Sequence, residues 1–297
     1  MFYRSIHYLR GVAAISVAAY HAFPSDMAPV LAGGVDVFFV ISGFVMVEAT
    51  RGGLDPARFL AARALRIFPV YWMACAIVAV LITSGPARDW LLLAEATPLW
   101  QWPVAEPFLG PGWTLTYEML FYFLFAACLG RWWLVSAFLL GLACLGGVWQ
   151  VVVTNPIIVE FAFGMAIANV PRRILARYWP VLLSMAVAGF CFASLAEYIP
   201  MAVRWWMLGI PAVALVAGLV GAEKLLTESR ALHFLGSASY SVYLVHMIPM
   251  AWVKDWPGLA LGVAAGCLMY VGLERPIMGF LRRLTYHLFL VGQRQQA

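Results

Sequence analysis

Arg10 and His21 stand eleven residues apart in "LRGVAAISVAAYH", with only small, apolar or weakly polar residues between them. On a helix that spacing is three turns plus ~20°, so both lie on one face, ~16 Å apart along the axis. A guanidinium at one end of such a face suits phosphate oxygens. An imidazole at the other end can exchange a proton near neutral pH. Asp36, Glu118, Glu160 and His246 are further ionisable residues inside apolar stretches, and Glu118 stands in "GPGWTLTYEMLFY" among Trp113, Tyr117, Phe121 and Tyr122. Each such group at bilayer depth costs about 2.5 kcal/mol or more, so each needs a partner or a task. In "DPARFLAARALRIFPVYW", Arg63 and Arg66 are i, i+3 neighbours on a short helix that Pro69 is expected to end. With Arg10 they make a candidate anion pocket.

The elements that must position these groups follow from composition. Of 297 residues, 64% are hydrophobic and 11% charged, and mean hydropathy is +0.87. A soluble domain carries roughly 25% charged residues, so the chain is expected to be an all-α, polytopic membrane protein. Apolar runs between Pro, Gly and charged breaks predict about ten spans: 9–23, 30–48, 67–84, 113–129, 132–153, 156–170, 179–196, 205–221, 235–253 and 257–273. An even number puts both termini on one side. Sixteen of the Lys and Arg residues then fall on the terminal side and only Arg88, Arg204 and Lys254 on the other, which makes the terminal side cytoplasmic.

The chain reads as one membrane-embedded domain over 1–297, without a fused soluble domain or a signal-peptide pattern. The five cysteines lie in apolar runs without paired spacing and read as core residues, not as metal ligands or disulfides. The net charge of +5 follows membrane topology, and no basic surface with interleaved aromatics argues for nucleic acid. Tryptophans at span ends, such as Trp132, Trp133, Trp179, Trp205 and Trp206, read as interfacial anchors. The connection Gly85 to Gly112, rich in Pro and Trp, could cover the outer mouth. There is no convincing internal repeat, which weakens a transporter built from inverted halves.

With these spans, Arg10 is expected at the inner headgroup level and His21 near or just beyond mid-membrane. His246, eleven residues beyond Leu235, is expected at a similar depth. Asp36, Glu118 and Glu160 are placed in the outer third.

Taken together, the motifs resemble the membrane acyltransferase family 3, the integral-membrane O-acyltransferases of cell-surface and exported polysaccharides. Arg10 and His21 are similar to its Arg, ten residues, His signature. "DVFFVISGFVM" resembles its second-span motif at Ser42 and Gly43, and "RALRIFPVYW" its arginine block at Arg63, Arg66, Pro69 and Tyr71. "GWTLTYEMLFY" resembles its tryptophan-to-glutamate block with Thr114 in place of serine, "NPIIVEFAFGM" its Glu160 block, and "SYSVYLVH" its ninth-span block ending at His246. "LERP" after the last span also fits.

The resemblance implies an acyl-CoA co-substrate, acetyl-CoA above all, with no permanently bound cofactor and no metal. It implies a carbohydrate acceptor, membrane lipid as surroundings and polysaccharide synthesis or export machinery as a partner, in the bacterial inner membrane. Arg10, Arg63 and Arg66, with Tyr71 and Ser42, would bind the donor. His21 would act as general base or acyl-accepting nucleophile, with Glu118 orienting or charge-stabilising it or binding sugar hydroxyls. Trp113, Tyr117, Asp36, Glu160, His246 and Tyr243 would serve the acceptor or support the catalytic groups. The competing class is a proton-coupled transporter or flippase of a polysaccharide precursor. That reading uses His21 and Glu118 but gives the clustered arginines no task. A structural subunit of a synthase complex is the third possibility.

Overall fold

Lipid offers no partners to backbone N–H and C=O groups, so an apolar chain of this kind can span it only as helices or a closed barrel. In the computed structural model, which describes residues 3–23, 29–82, 109–145 and 154–294 with side chains to Leu284, every regular element is helical. The α-helices are α1 (Arg4–Ala22), α2 (Gly34–Thr50), α3 (Pro56–Ile82), α4 (Trp113–Ala127), α5 (Trp132–Leu145), α6 (Val159–Asn169) and α7 (Arg172–Ala193). They continue with α8 (Met201–Met207), α9 (Gly209–Gly221), α10 (Arg230–Val245), α11 (Met247–Met250), α12 (Asp255–Met269) and α13 (Arg275–Arg294). A π-helical turn, Tyr270–Glu274, joins the last two.

Among the described residues, five stretches are long and apolar enough to cross a membrane: Pro29–Thr50, Pro56–Leu81, Arg172–Ala193, Met201–Gly221 and Asp255–Leu284. The chain is an all-helical membrane protein. Of the connection 85–112, only the part from Leu109 onward lies among the described residues.

Several helices start earlier than the apolar runs, and their polar first turns are held by side chains. The first backbone N–H groups of α1 have no cap of their own. They donate instead to the Glu223 carboxylate, from Arg4 at 2.7 Å and Ser5 at 3.0 Å. Asp55 accepts from the Arg58 N–H at 3.0 Å and starts α3, while Ser229 accepts from Leu232 at 3.3 Å and starts α10. Pro69, expected to end a short helix, lies inside the continuous α3. Neighbouring helices make an intramembrane proline tolerable by serving the backbone around it. Two residues before Pro69, the Tyr240 hydroxyl of α10 donates to the Ile67 carbonyl at 3.1 Å, a tie between α10 and α3 and not a replacement for the bond that Pro69 lacks.

α1 lies inside the bundle against α2, α9, α10 and α12. The small residues between Arg10 and His21 are used for this packing. A methyl group on Gly11 would meet the α10 backbone at Gly236 at 2.9 Å, and Ala14 and Ala18 are fully buried. The glycine of the Ser42-Gly43 pair acts likewise: a methyl group there would collide with the Phe161 carbonyl of α6. Side chains beside this close α2–α6 crossing form an aromatic core, with Phe161 stacked on Phe121 at 4.4 Å and tilted on Phe39 at 4.7 Å.

Candidate active site

Three helices bring Arg10 (α1), Arg63 and Arg66 (α3) and Glu118 (α4) onto one cavity of about 120 Å³. Ser42 of α2 and Tyr122 of α4 complete its polar wall. The Ser42 hydroxyl donates to Glu118 Oε1 at 3.2 Å, and the Tyr122 hydroxyl donates to the same oxygen. The Arg63 guanidinium lies over the rings of Phe59 and Tyr122, at 5.6 and 5.9 Å from their centroids. Its Nε is buried without a hydrogen-bond partner. An orphaned guanidinium N–H is costly unless something accepts from it. Arg63, which lines the cavity, thus keeps one N–H unspent.

Tyr243 of α10 also lines this cavity. Its hydroxyl is paired with Thr114 Oγ1 at 2.8 Å, and both face the Pro111 carbonyl, at 3.2 and 3.1 Å. Thr114 therefore latches the turn before α4 to α10, a task that needs only a hydroxyl. Beyond Tyr243, with ring centroids 6.2 Å apart, lies His246.

His246 is fully buried where α10 ends, and its Nδ1 faces the carbonyls of Tyr243 at 2.8 Å and Val242 at 3.2 Å. Two acceptors oblige that nitrogen to carry the proton, so neutral His246 presents the lone pair of Nε2. That lone pair meets His21 Nδ1 at 3.2 Å, and the same His21 nitrogen faces the Val17 carbonyl at 2.9 Å. His21 therefore donates from Nδ1, which leaves its Nε2 as a free base. A backbone-anchored imidazole orients a second imidazole in the way a carboxylate does in hydrolytic triads.

α1 begins at Arg4, so Arg10 sits ~9 Å along the helix and His21 in its last turn. His246 likewise caps the end of α10. Glu118, expected beside His21 or on acceptor hydroxyls, is hydrogen-bonded to Ser42 and Tyr122 in the arginine cavity, and His246 is the side chain that holds His21.

Asp36 and Glu160, expected to serve the acceptor or support the catalytic groups, are both completely buried elsewhere. Asp36 accepts from Arg204 Nη2 at 2.6 Å and from Nε at 3.1 and 3.2 Å, while Nη2 also donates to the Ala32 carbonyl at 2.7 Å. Glu160 packs beside Gly209, within electrostatic reach of the Asp36–Arg204 pair. Trp113 and Tyr117 pack edge-on at 5.7 Å, with Tyr117 buried against Phe39. Tyr71 is fully buried in α3 and does not line the cavity.

Sequence reasoning missed three groups. Arg204, counted only among the three basic residues on the non-cytoplasmic side, is the buried partner of Asp36. Tyr240 lines the cavity. Glu274, in the "LERP" stretch, accepts from Ser241 at 2.6 Å and lies within electrostatic reach of Arg10 and Arg66. An acidic residue directly after the last apolar run was the available signal for the last, and π-helical turns recur at functional sites.

Comparison with known proteins adds to this geometry. The profile of the family described as "Acyltransferase domain" matches residues 3–282. The exopolysaccharide production protein ExoZ of Rhizobium meliloti (strain 1021) is 36% identical, over 86% of this chain and 92% of its own length. Nodulation protein 10 of Rhizobium leguminosarum bv. viciae is 27% identical over 83% of this chain and 82% of its own. Acyltransferase MdmB of Streptomyces mycarofaciens is 23% identical over 84% and 81%. No solved structure gives a significant match.

Proposed function

The chain belongs to the acyltransferase family, and from that premise we propose that it moves an acyl group, acetyl above all, from acyl-coenzyme A to a sugar hydroxyl. The acceptor is an exported or cell-surface polysaccharide or its lipid-linked precursor, a reading supported by the 36% identity to a protein named for exopolysaccharide production. Crossing of the bacterial inner membrane by all ten apolar runs, with both termini cytoplasmic, belongs to the same proposal and rests on the Lys and Arg distribution.

One observation carries the reading: the arginine cavity and the histidine pair are joined through Tyr243. Coenzyme A has anionic phosphates at one end of a thin arm and a thioester at the other. Arg10, Arg63 and Arg66 supply guanidinium donors for the phosphates. His21 Nε2 removes the proton from the acceptor hydroxyl as its oxygen attacks the thioester carbonyl, and His246 stabilises the imidazolium that forms. The tetrahedral adduct collapses by breaking the C–S bond. The departing sulfur takes the proton back from His21, giving free coenzyme A, the ester and neutral histidine.

Incubating the purified protein with radiolabelled acetyl-CoA and the surface glycan of its host tests the proposal. The expected outcome is label in the glycan with stoichiometric release of coenzyme A. A protein that binds glycan but releases no coenzyme A would instead favour the transporter class.

A further inference from the structure

A second cavity of about 600 Å³ opens at the N-terminal end of the bundle, between α1, the first turns of α10 and the π-helical turn. It is lined by Arg4, Arg230 and Arg275, by Tyr8, and by the aromatic pair Phe234 and Tyr270, whose rings meet edge-on at 5.8 Å. Arg230 and Arg275 are exposed and have no acidic partner among the described residues. Arg4 is paired with the exposed Glu228 at 2.5 Å. Exposed pairs of this kind are weak, so a phosphate can displace Glu228 at little cost.

This cavity borders the same two helices, α1 and α10, as the arginine cavity. Along α1, Tyr8 lines the one and Arg10 the other, and along α10 Ser237 lines the one and Tyr240 the other. Those steps are ~3 Å and ~4.5 Å of helix rise. Forked guanidinium donors beside exposed aromatic surface are what a phosphorylated ring system needs: bidentate contacts for phosphate and a face for a flat base.

We propose that the second cavity binds a 3′-phosphorylated adenosine, the nucleotide end of the acyl donor, while Arg10, Arg63 and Arg66 hold the diphosphate that joins it to the arm. The assignment rests on coenzyme A being the donor. It explains why one chain carries two neighbouring arginine clusters, and why an exposed aromatic face accompanies only the second.

The test compares two donors on the full-length protein in phosphatidylcholine vesicles: acetyl-CoA, and S-acetyl-4′-phosphopantetheine, which keeps the arm and one phosphate but lacks the nucleotide. In the Arg230→Ala/Arg275→Ala variant, the ratio of kcat/KM for acetyl-CoA to that for the truncated donor should fall about tenfold or more. Adenosine 3′,5′-bisphosphate should compete with acetyl-CoA on the wild type and lose that competition in the variant. Phe234→Leu should lower the same ratio by a smaller factor. An unchanged ratio overturns the proposal. So does activity that becomes dependent on added phosphatidylglycerol with the ratio unmoved, which assigns the cavity to a lipid headgroup. A wild type that turns over neither donor refutes the donor reading itself, an outcome distinct from an unmoved ratio.

Discussion

Two clusters of buried charge lie in the same bundle, and they are built to opposite ends. Around Asp36 the guanidinium of Arg204 is consumed: both carboxylate oxygens and a backbone carbonyl take its donors, and the group is sealed from solvent. Around Glu118 the arginines outnumber the carboxylates within reach, Arg63 Nε has no acceptor, and there is open volume in front of them. The first cluster ties the turn at Ala32 and the short α8 onto α2; the second keeps charge in reserve. Burial of a charge inside a membrane protein thus identifies a residue with a task. Only unmet donors beside a cavity distinguish binding from fastening.

Mutations separate the two clusters, and the histidine pair gives the largest effect expected. His21→Ala should cut acyl transfer by roughly 10²–10⁴-fold, the range of a lost general base, with unchanged expression and thermal unfolding. His246→Ala should cut it less, since His21 remains present but unoriented. Near-wild-type turnover in His21→Ala would remove that residue from the chemistry. Breaking the closed cluster should do the reverse. Arg204→Ala leaves Asp36 buried and unpaired, and the expected cost is about 3–5 kcal/mol of stability, read as a lowered unfolding midpoint or lost membrane accumulation. If Arg204→Ala instead folds normally and loses only activity, the contrast between fastening and binding collapses. The smallest effect is expected from Arg63→Ala with Arg66→Ala. The KM for acetyl-CoA should rise about tenfold while the KM for the acceptor stays put, and steady-state kinetics against each substrate decides it.

What could be read from the chain without its fold was local. The 3.6-residue period of one helix put Arg10 and His21 on a common face, and all ten apolar runs coincide with helices where they are described. Arg63 and Arg66 were paired for the same reason, although Pro69 was misread as a terminator. The early start of α1 escaped because its cap is a carboxylate 218 residues away.

Partnership was a tertiary decision. Spacing alone put His21 on one face with Arg10, and only the crossing of α1 with α10 sets it, in the last turn of α1, against His246 across 225 residues of chain. Asp36 and Glu118 looked alike as carboxylates near the starts of apolar runs. One meets Arg204, 168 residues on, and the other meets an arginine-lined cavity. Composition and periodicity determined that this chain is helical, lives in lipid and carries an arginine and a histidine on one face, because those depend on energies within a few turns. Which charges are spent and which are left for a ligand depended on how distant helices cross, because a charge in a low-dielectric interior is defined by whatever stands next to it.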